Sequence, residues 1–589
     1  MKKKKEEREA YAEELVAFVE AEYERRREER APLERQWELN LNFLAGRQYM
    51  GLSSRGELVE DGKAFFWQSR GVFNHIAPIA ESRIAKLGKI DPVLRVRARS
   101  GGDGEVNGAK LSERLLSGAM ERLEVRRTVA ETTAWSETCG TGFYRIGWDE
   151  GGGNGGDVYV ECVPPFEIYP DSPAAGAERA KSVIRARVAD ADELSAVYGK
   201  AVSGKEEETV SPTGEKRTVK NAVTLLEYYE RPSARAPQGK YIVTAGGALL
   251  FSGALPYENG ENGKRELPFV RQVSVEVTGS FFGQSVIERL IPVQRAFNAV
   301  KNRKHEFINR LSMGVMNVED GSVDTEELAE EGLSPGRILV YRQGAKPPEM
   351  LDMGAVPANF AEEEKSLLNE FTVISGVSDV ASSSANATVS SGTALELLIE
   401  QDNERLTASA ERIRECYKKI AKHILRLYRQ FTSGAREFAA RAGEKLSSVR
   451  IEKKDVRDDV VIENENELLY GEGHKKELLL QMYSSGLLAE EDGTVRADTK
   501  ERLLSLLGYG DLAGDRGMSR LHAEKAKAEN LRLAAREVKA DGYDDHAVHI
   551  EEHVRYVLGE DESLSPAEKA RFEKHVAEHK KKLAEERTQ

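Results

Sequence analysis

A chain of 589 residues has room for several domains, and its net charge of −14 argues against a broad basic face that clamps DNA. Hydrophobic residues make up 40% and charged residues 32%, and no apolar run approaches the roughly 18 residues of a membrane span. Any encounter with nucleic acid is therefore expected to be local, weak or in passing.

The opening MKKKKEEREAYAEEL is basic but lacks a following apolar core, so it is not expected to be a secretory signal. Cys139, Cys162 and Cys416 are widely scattered, which fits a reducing compartment better than a disulfide scaffold. Residues 6–45 read as one amphipathic helix with Leu15, Phe18, Val19, Leu33, Trp37, Leu39, Leu41 and Phe43 as apolar positions. Its many Glu and Arg residues are expected to be a solvated face with ion pairs along the helix. Further helices are expected over 74–89 and 106–136, with a strand over 93–98 between them. A strand entered through Gly140 and Gly142 follows. From there to about residue 275 the period is two, giving strands at 158–163, 183–188, 223–229, 241–244 and 269–275. Residues 149–156 read as a hairpin loop and 205–220 as a polar insertion. Helices followed by an antiparallel sheet define an α+β body.

The next stretch organises the chain. From Pro292, a favourable first helical residue, Val293, Ala296, Phe297, Val300, Phe307, Ile308 and Leu311 form an apolar stripe. Arg295, Asn302, Glu306, Asn309 and Arg310 lie on the polar face, and Lys304 interrupts the stripe. Residues 293–311 would make a rod of about 28 Å. A turn-rich insert has strand-like runs at 314–318 and 337–341. A second helix returns with Phe360, Leu367, Leu368, Phe371 and Ile374 on one face and ends at Gly376. Residues 377–391 (VSDVASSSANATVSS) are small and polar, with Asp379 the only ionisable side chain. The longest helix follows, over about 393–431. Leu406, Ile413, Ile420 and Leu427 repeat every seven residues there, with Ala410, Tyr417, Ile424 and Phe431 four further on. Beyond 433 the pattern is helical again (478–488, 499–507 and 518–538), with one strand-like run at 459–463. The tail from Asp541 holds five of the ten histidines.

An ATP-driven motor would need a glycine-rich loop ending in Gly-Lys-Ser or Gly-Lys-Thr, and neither occurs. His549-Ile550-Glu551-Glu552-His553 fits the H-x-x-E-H zinc-peptidase pattern. Such an enzyme also needs a third ligand and a cleft, and the 36 residues that follow are nearly all charged and helical. The histidines are therefore expected to be structural or to lie between subunits; no metal or other cofactor is expected, His549 and His553 being the candidates if one binds. No nucleophile elbow, Ser/His/Asp order or paired-carboxylate cluster stands out, so the chain is not expected to be an enzyme.

Several segments occur in an order that resembles tailed-bacteriophage portal proteins of the larger podovirus-like type. They are FLAGRQY, FNHIAPIAESRIAKLGKIDPVLRVRA, CGTGFYRIGWD, VPPFEIYPD, LLEYYERP, GQSVIERLIPVQRAFNAVKNRKHEFINRL and DDHAVHIEEH. Through them the match runs along nearly the whole chain. The resemblance implies the portal-protein fold. Residues 1–282 would be a wing of helices and antiparallel sheet, 283–312 and 358–375 a two-helix stem, and 313–357 a small α/β clip. Residues 376–392 would form a tunnel loop, 393–432 the long wing helix, and 433–589 a mostly helical crown and C-terminal tail.

It also implies a homododecamer, a ring of about twelve copies at one capsid vertex of the virion, assembled in the host bacterial cytoplasm. The ring would be a head-tail connector for DNA packaging and genome ejection, a passive channel for double-stranded DNA. The terminase large subunit, head-tail adaptor and tail proteins, and the major capsid and scaffold proteins would be its partners, with no membrane. The channel loop would present Ser378, Asp379, Ser382, Ser383, Ser384, Asn386, Thr388, Ser390 and Ser391. Short, nearly neutral side chains there would touch a moving duplex without trapping its phosphates. Arg295, Arg303 and Arg310 are the stem candidates for DNA contact, and Arg337, Tyr341 and Arg342 the clip candidates for docking partners. The competing readings are a zinc-dependent hydrolase around the C-terminal HIEEH and a generic assembly scaffold without a channel.

Overall fold

A computed structural model describes residues 2–62, 68, 70–100, 103–151, 156–174, 176–177, 179–210, 216–313, 315–331, 338–351, 359–377, 392–432, 434, 436–442, 445–463, 480–486, 503, 518–559, 564 and 566–586. The chain divides into two compact units, Met1–Leu469 and Tyr470–Gln589.

In chain order the first unit contains helix α1 (Lys2–Leu44), strands β1 (Met50–Leu52) and β2 (Leu58–Glu60), helix α2 (Ile76–Leu87), strand β3 (Leu94–Val96) and helices α3 (Asp103–Arg122) and α4 (Val125–Cys139). Strands β4 (Thr141–Asp149), β5 (Asp157–Val163), β6 (Ile168–Pro170) and β7 (Ser182–Asp190) follow. Then come helix α5 (Ala191–Tyr198), β8 (Lys205–Val210), β9 (Lys216–Glu230), β10 (Lys240–Ala245), β11 (Ala248–Gly253) and β12 (Phe269–Val273). Next are helix α6 (Val286–Met313), β13 (Val315–Asn317), α7 (Thr325–Glu331), β14 (Glu349–Leu351), α8 (Asn359–Ser375) and α9 (Gly392–Phe431). The unit ends with β15 (Arg436–Ala442), β16 (Lys445–Ile451) and β17 (Val460–Ile462). The chain is thus mixed helix and strand, as the change of hydrophobic period indicates.

All the strand pairs among the described residues are antiparallel. A six-stranded sheet has the order β11-β10-β9-β7-β6 with β8 folded against β9, and a second sheet has the order β12-β4-β5. Val19 of α1 packs on the first sheet with Tyr169, Ile184 and Tyr228. The arginines of α1 are not all solvated. Arg30 is fully buried, donates to the carbonyls of Pro165 (3.0 Å), Phe166 (2.9 Å) and Ile168 (2.8 Å), and stacks 3.6 Å from the Tyr169 ring centre. Arg26 is buried on the Ser182 hydroxyl in the same way. A guanidinium satisfies several orphan carbonyls at once, which a helical-wheel pattern does not reveal.

The helix expected over 106–136 is two helices. Glu124 adopts a left-handed conformation (φ 47°) between α3 and α4 and lets buried Val125 restart the turn. No Gly or Pro marks the break. Residues 205–210, within the expected polar insertion, are a charged edge strand on β9. The long helix matches its pattern: Leu406, Ala410, Ile413, Tyr417, Ile420, Ile424 and Leu427 are all buried in one core with Leu116, Val129, Tyr144 and Ile146.

Residues beyond 433 include more strand than the sequence indicates. β15 and β16 form a hairpin, and β17 pairs with β3 in the register Val460–Val96 and Ile462–Leu94. Arg426 of α9 donates to Asp458 (2.7 Å), with both side chains buried, and the Arg457 amide donates to the Ser112 hydroxyl (2.8 Å). Residues 452–463 therefore belong to the first unit.

In the second unit the described residues include helices α10 (Met518–Ala535), α11 (His546–Gly559) and α12 (Pro566–Glu586), and residues 480–484 are also helical. Of the helices expected over 478–488 and 499–507, only 480–486 and 503 fall among the described residues.

Candidate functional site

Helices α6 and α8 form an antiparallel pair. Phe297 meets Phe371 (ring centres 6.1 Å apart) and, further along, Phe307 meets Phe360 (6.4 Å). The His75 ring packs between Phe297 (4.6 Å) and Phe371 (5.4 Å). Helix α6 starts at Val286, not at Pro292: the Ser285 hydroxyl accepts the Ile287 amide (3.0 Å) and caps it. Pro292 is therefore interior, where it deletes one helical hydrogen bond.

Lys304, the misfit in the apolar stripe, is explained by its partner. Its ammonium lies 3.0 Å from Glu364 of α8, and Lys301 bonds the other oxygen of the same carboxylate. Partial burial alone would raise the Glu364 pKa, but the two ammonium groups outweigh it and hold it below the usual carboxylate range. One acidic residue thus ties the two helices together.

The polar face of α6 is also not simply solvated. Gln294, Asn298 and Asn302 recur every four residues and are buried against the extended segment 71–75. Asn302 accepts from the Gly71 amide (2.8 Å) and donates to its carbonyl (2.9 Å) and to the Tyr49 hydroxyl (2.8 Å). Asn298 accepts from the Phe73 amide (3.1 Å), while Gln294 accepts from the His75 amide (3.0 Å) and donates to the Phe73 carbonyl (2.8 Å). The amides act as a substitute strand for that segment. The signal was the Gln294-Asn298-Asn302 spacing, which polarity alone assigns to solvent.

Between the helices, β13 pairs with β14. The strand expected over 337–341 is absent among the described residues, where 338–341 have no regular structure. Ile338 (86% exposed) and Val340 (81%) present their side chains outward, beside exposed Tyr341 and Arg342. The Arg342 amide donates to the Ser322 carbonyl (2.8 Å), which ties this segment to the turn before α7.

Helix α8 ends under an anchor. Arg83 of α2 donates to the Ser375 carbonyl (2.6 Å) and forms a buried pair with Glu137 of α4 (2.7 Å). A cation on a last-turn carbonyl suits the helix dipole. Gly376 then turns with φ 70° and the Val377 amide donates to the Ser375 hydroxyl (3.1 Å). The chain is thus clamped just before 378–391. Ser378, Asp379, Ser382, Ser383, Ser384, Asn386, Thr388, Ser390 and Ser391 themselves lie outside the described residues, as does Arg337.

The described stem arginines differ in their settings. Arg295 donates to the Met50 carbonyl (2.8 Å) and stacks on Phe43, Arg303 is exposed, and the Arg310 side chain lies outside the described residues. In the second unit, by contrast, His549 and His553 are fully buried beside His575, His579 and Glu529. All three cysteines are free thiols, and burial pushes the Cys416 and Cys162 pKa values up to about 12. No described helix is long and apolar enough to cross a membrane.

Residues 20–468 match the family profile of phage P22-like portal proteins. That is about three quarters of the chain, and the protein belongs to this family. Portal proteins are structural, non-enzymatic components of the virion capsid vertex, and membership implies an oligomeric ring with capsid and packaging partners. Neither a hydrolase nor a channel-less scaffold finds support there. No curated protein matches the chain.

Proposed function

We propose that this protein is the subunit of a ring of about twelve copies through which double-stranded DNA enters and leaves the capsid. Helices α6 and α8 form the stem around the channel, the α7/β13/β14 insert is the clip, and residues 376–392 form the loop at the constriction. Residues 1–282 with α9 are the wing, and the chain from about 433, including the second unit, is the crown and tail. The terminase large subunit and later the adaptor or tail proteins dock on the clip. The observation that carries this reading is the antiparallel α6/α8 pair within the family match, clamped by Arg83 at the point where the serine-rich segment begins.

Charge supports a passive conduit. Each copy carries −14, so a ring of them repels a polyanion in bulk, and the serine-rich loop adds only one ionisable group. Motion must then be supplied by a separate ATPase. Ile338 and Val340 are exposed together with Tyr341, Met350 and Leu351 of the same insert, and a group of exposed apolar side chains supports docking or subunit contact at the clip.

Electron microscopy of the purified protein, with native mass, tests the assembly: rings with an axial hole wide enough for a duplex are expected. A scaffold-assisted preparation that yields only closed particles without a hole would refute it. Converting Ser382, Ser383 and Ser384 together to Lys tests the loop. Each phosphate neutralised tightens binding and steepens its salt dependence, so packaging should slow. An unchanged packaging rate and DNA retention would remove the loop from the contact surface.

A further inference from the structure

We propose that the C-terminal unit holds one structural zinc ion, bound by Glu529 of α10, His553 of α11, and His575 and His579 of α12. One donor atom from each of these four residues lies within 4.8 Å of the others, and all four side chains are buried. Around a tetrahedral zinc with metal–ligand distances of 2.0–2.2 Å, neighbouring donors sit about 3.4 Å apart. Here His575 Nε2 and His579 Nε2 are 3.1 Å apart, and Glu529 Oε2 is 3.7 Å from both His553 Nε2 and His575 Nε2.

The ring orientations are those of metal ligands. His575 Nδ1 is 2.8 Å from the Val538 carbonyl, which can only accept, so the proton sits on Nδ1 and Nε2 turns a lone pair inward. His553 is fixed in the same sense by Asn530 Oδ1, 2.6 Å from its Nδ1. His579 Nδ1 is backed by His546 Nδ1 at 2.8 Å. What faces the centre is poorly satisfied: Glu529 Oε2 and His553 Nε2 are both buried without a well-aligned hydrogen bond, the near contact to Glu529 Oε2 being His549 Nδ1 at 3.1 Å. Burying a carboxylate oxygen and an imidazole lone pair against each other is costly unless a cation joins them.

A second grouping, Glu529 with Asp544, His549 and His579, is equally compact. Its Asp544 is already engaged, by the Lys525 ammonium (2.6 Å) and the Asp541 amide (2.9 Å), so a metal there would have to displace an ammonium group. His549 Nδ1 lies 3.1 Å from Glu529 Oε2 and flanks the first site without completing it.

The chemistry selects the ion and its role. Three imidazoles and a carboxylate in a tetrahedron suit zinc, and four buried protein ligands leave no open position for water or substrate. This site would therefore staple three helices and not hydrolyse anything. The unit has use for a staple: among its described residues only Leu503, Ala526, Leu533, Ala540, Phe572 and Val576 are buried apolar side chains.

The test uses untagged full-length protein purified with zinc present and then dialysed against zinc-free buffer. Elemental analysis should find about one zinc per chain, and replacement by cobalt should give the intense visible absorption of four-coordinate Co2+. His553→Gln and His575→Gln should each lose the metal, whereas His522→Gln, outside the set, should keep it. Asn530→Leu, which removes only the support of His553, should weaken zinc binding about 10–100-fold. Removing zinc from the wild type with a chelator should raise amide exchange over 518–586, and zinc should restore protection, a readout that does not depend on any variant folding. Less than stoichiometric zinc in the wild type, zinc retained by both His→Gln variants, or exchange unmoved by chelation would each overturn the proposal.

Discussion

The amide of Asn302 holds both backbone groups of Gly71, accepting from its N–H at 2.8 Å and donating to its carbonyl at 2.9 Å. Replacing Asn302 with Leu keeps the volume but leaves the Gly71 N–H and carbonyl without these partners in a largely buried site. The expected loss is about 1–3 kcal/mol, from the cost of stranding a buried polar group. Chemical denaturation of the full chain checks it. Asn302→Asp, which still accepts from Gly71 but cannot donate, should lose stability as well. A Leu variant as stable as wild type would mean the amide ladder adds nothing.

The buried Arg83–Glu137 pair predicts a larger effect. Glu137→Ala leaves a guanidinium buried without its counter-charge, and breaking such a pair costs about 3–5 kcal/mol. Amide exchange should rise most at 372–377, where Arg83 grips the Ser375 carbonyl. Exchange rising evenly across the unit would place the pair's role elsewhere.

The Lys301/Lys304–Glu364 contact lies nearer the surface, so its stability contribution is small, about 1 kcal/mol or less. Its specificity should be visible through charge reversal. Lys304→Glu should destabilise the protein, and Lys304→Glu combined with Glu364→Lys should recover part of the loss. A double-mutant cycle measures this coupling.

His423 of α9 gives a pH signature. Burial, with Arg426 and then Lys419 nearby, pushes its pKa down to about 3, against an ordinary value near 6.5. Between those values the unfolded chain takes up a proton that the folded one refuses, so stability falls as pH falls through that window. Above about 6.5 the effect is absent. The limiting slope is about 1.4 kcal/mol per pH unit for one site. His423→Gln should flatten the fall in stability between pH 6 and 4 relative to wild type; parallel curves would show that His423 protonates freely in the fold.

Much of the architecture was legible because the relevant patterns are periodic. The seven-residue repeat from Leu406 to Leu427 is the buried stripe of α9, and the change to period two after Gly140 marks the sheets. Gly246-Gly247, both at positive φ, is the turn of the β10–β11 hairpin, a signal the sequence carried for the missed strand β11. Asp190, whose side chain accepts from the amides of Asp192 and Glu193, likewise marks the missed helix α5. Other features were not legible because their cause is tertiary. Nothing local in Leu123-Glu124-Val125 announces a break, and Lys205-Glu206-Glu207-Glu208 becomes a strand only because β9 offers it an edge. Of the candidate site, the α6/α8 pairing could be read from its stripes. The closure of Arg83 on Ser375 could not, since these residues are 292 apart in sequence. The histidine cluster was half visible: His549 and His553 share a helix face at the right spacing, but Glu529, His575 and His579 reach them only through the fold.

The pairing of β3 with β17 sets the order in which the first unit can be completed. Arg95, in the middle of β3, and Glu463, just past β17, bond at 3.1 Å and are 368 residues apart. During translation β3 leaves the ribosome long before its partner exists, and it waits as an open strand edge beside a half-covered α3. Because such distant contacts slow folding, the nascent chain is exposed to unwanted strand pairing for most of its synthesis. A chain truncated just after α9 would remain in that state permanently, whereas one ending at Leu469 would carry the closing strand.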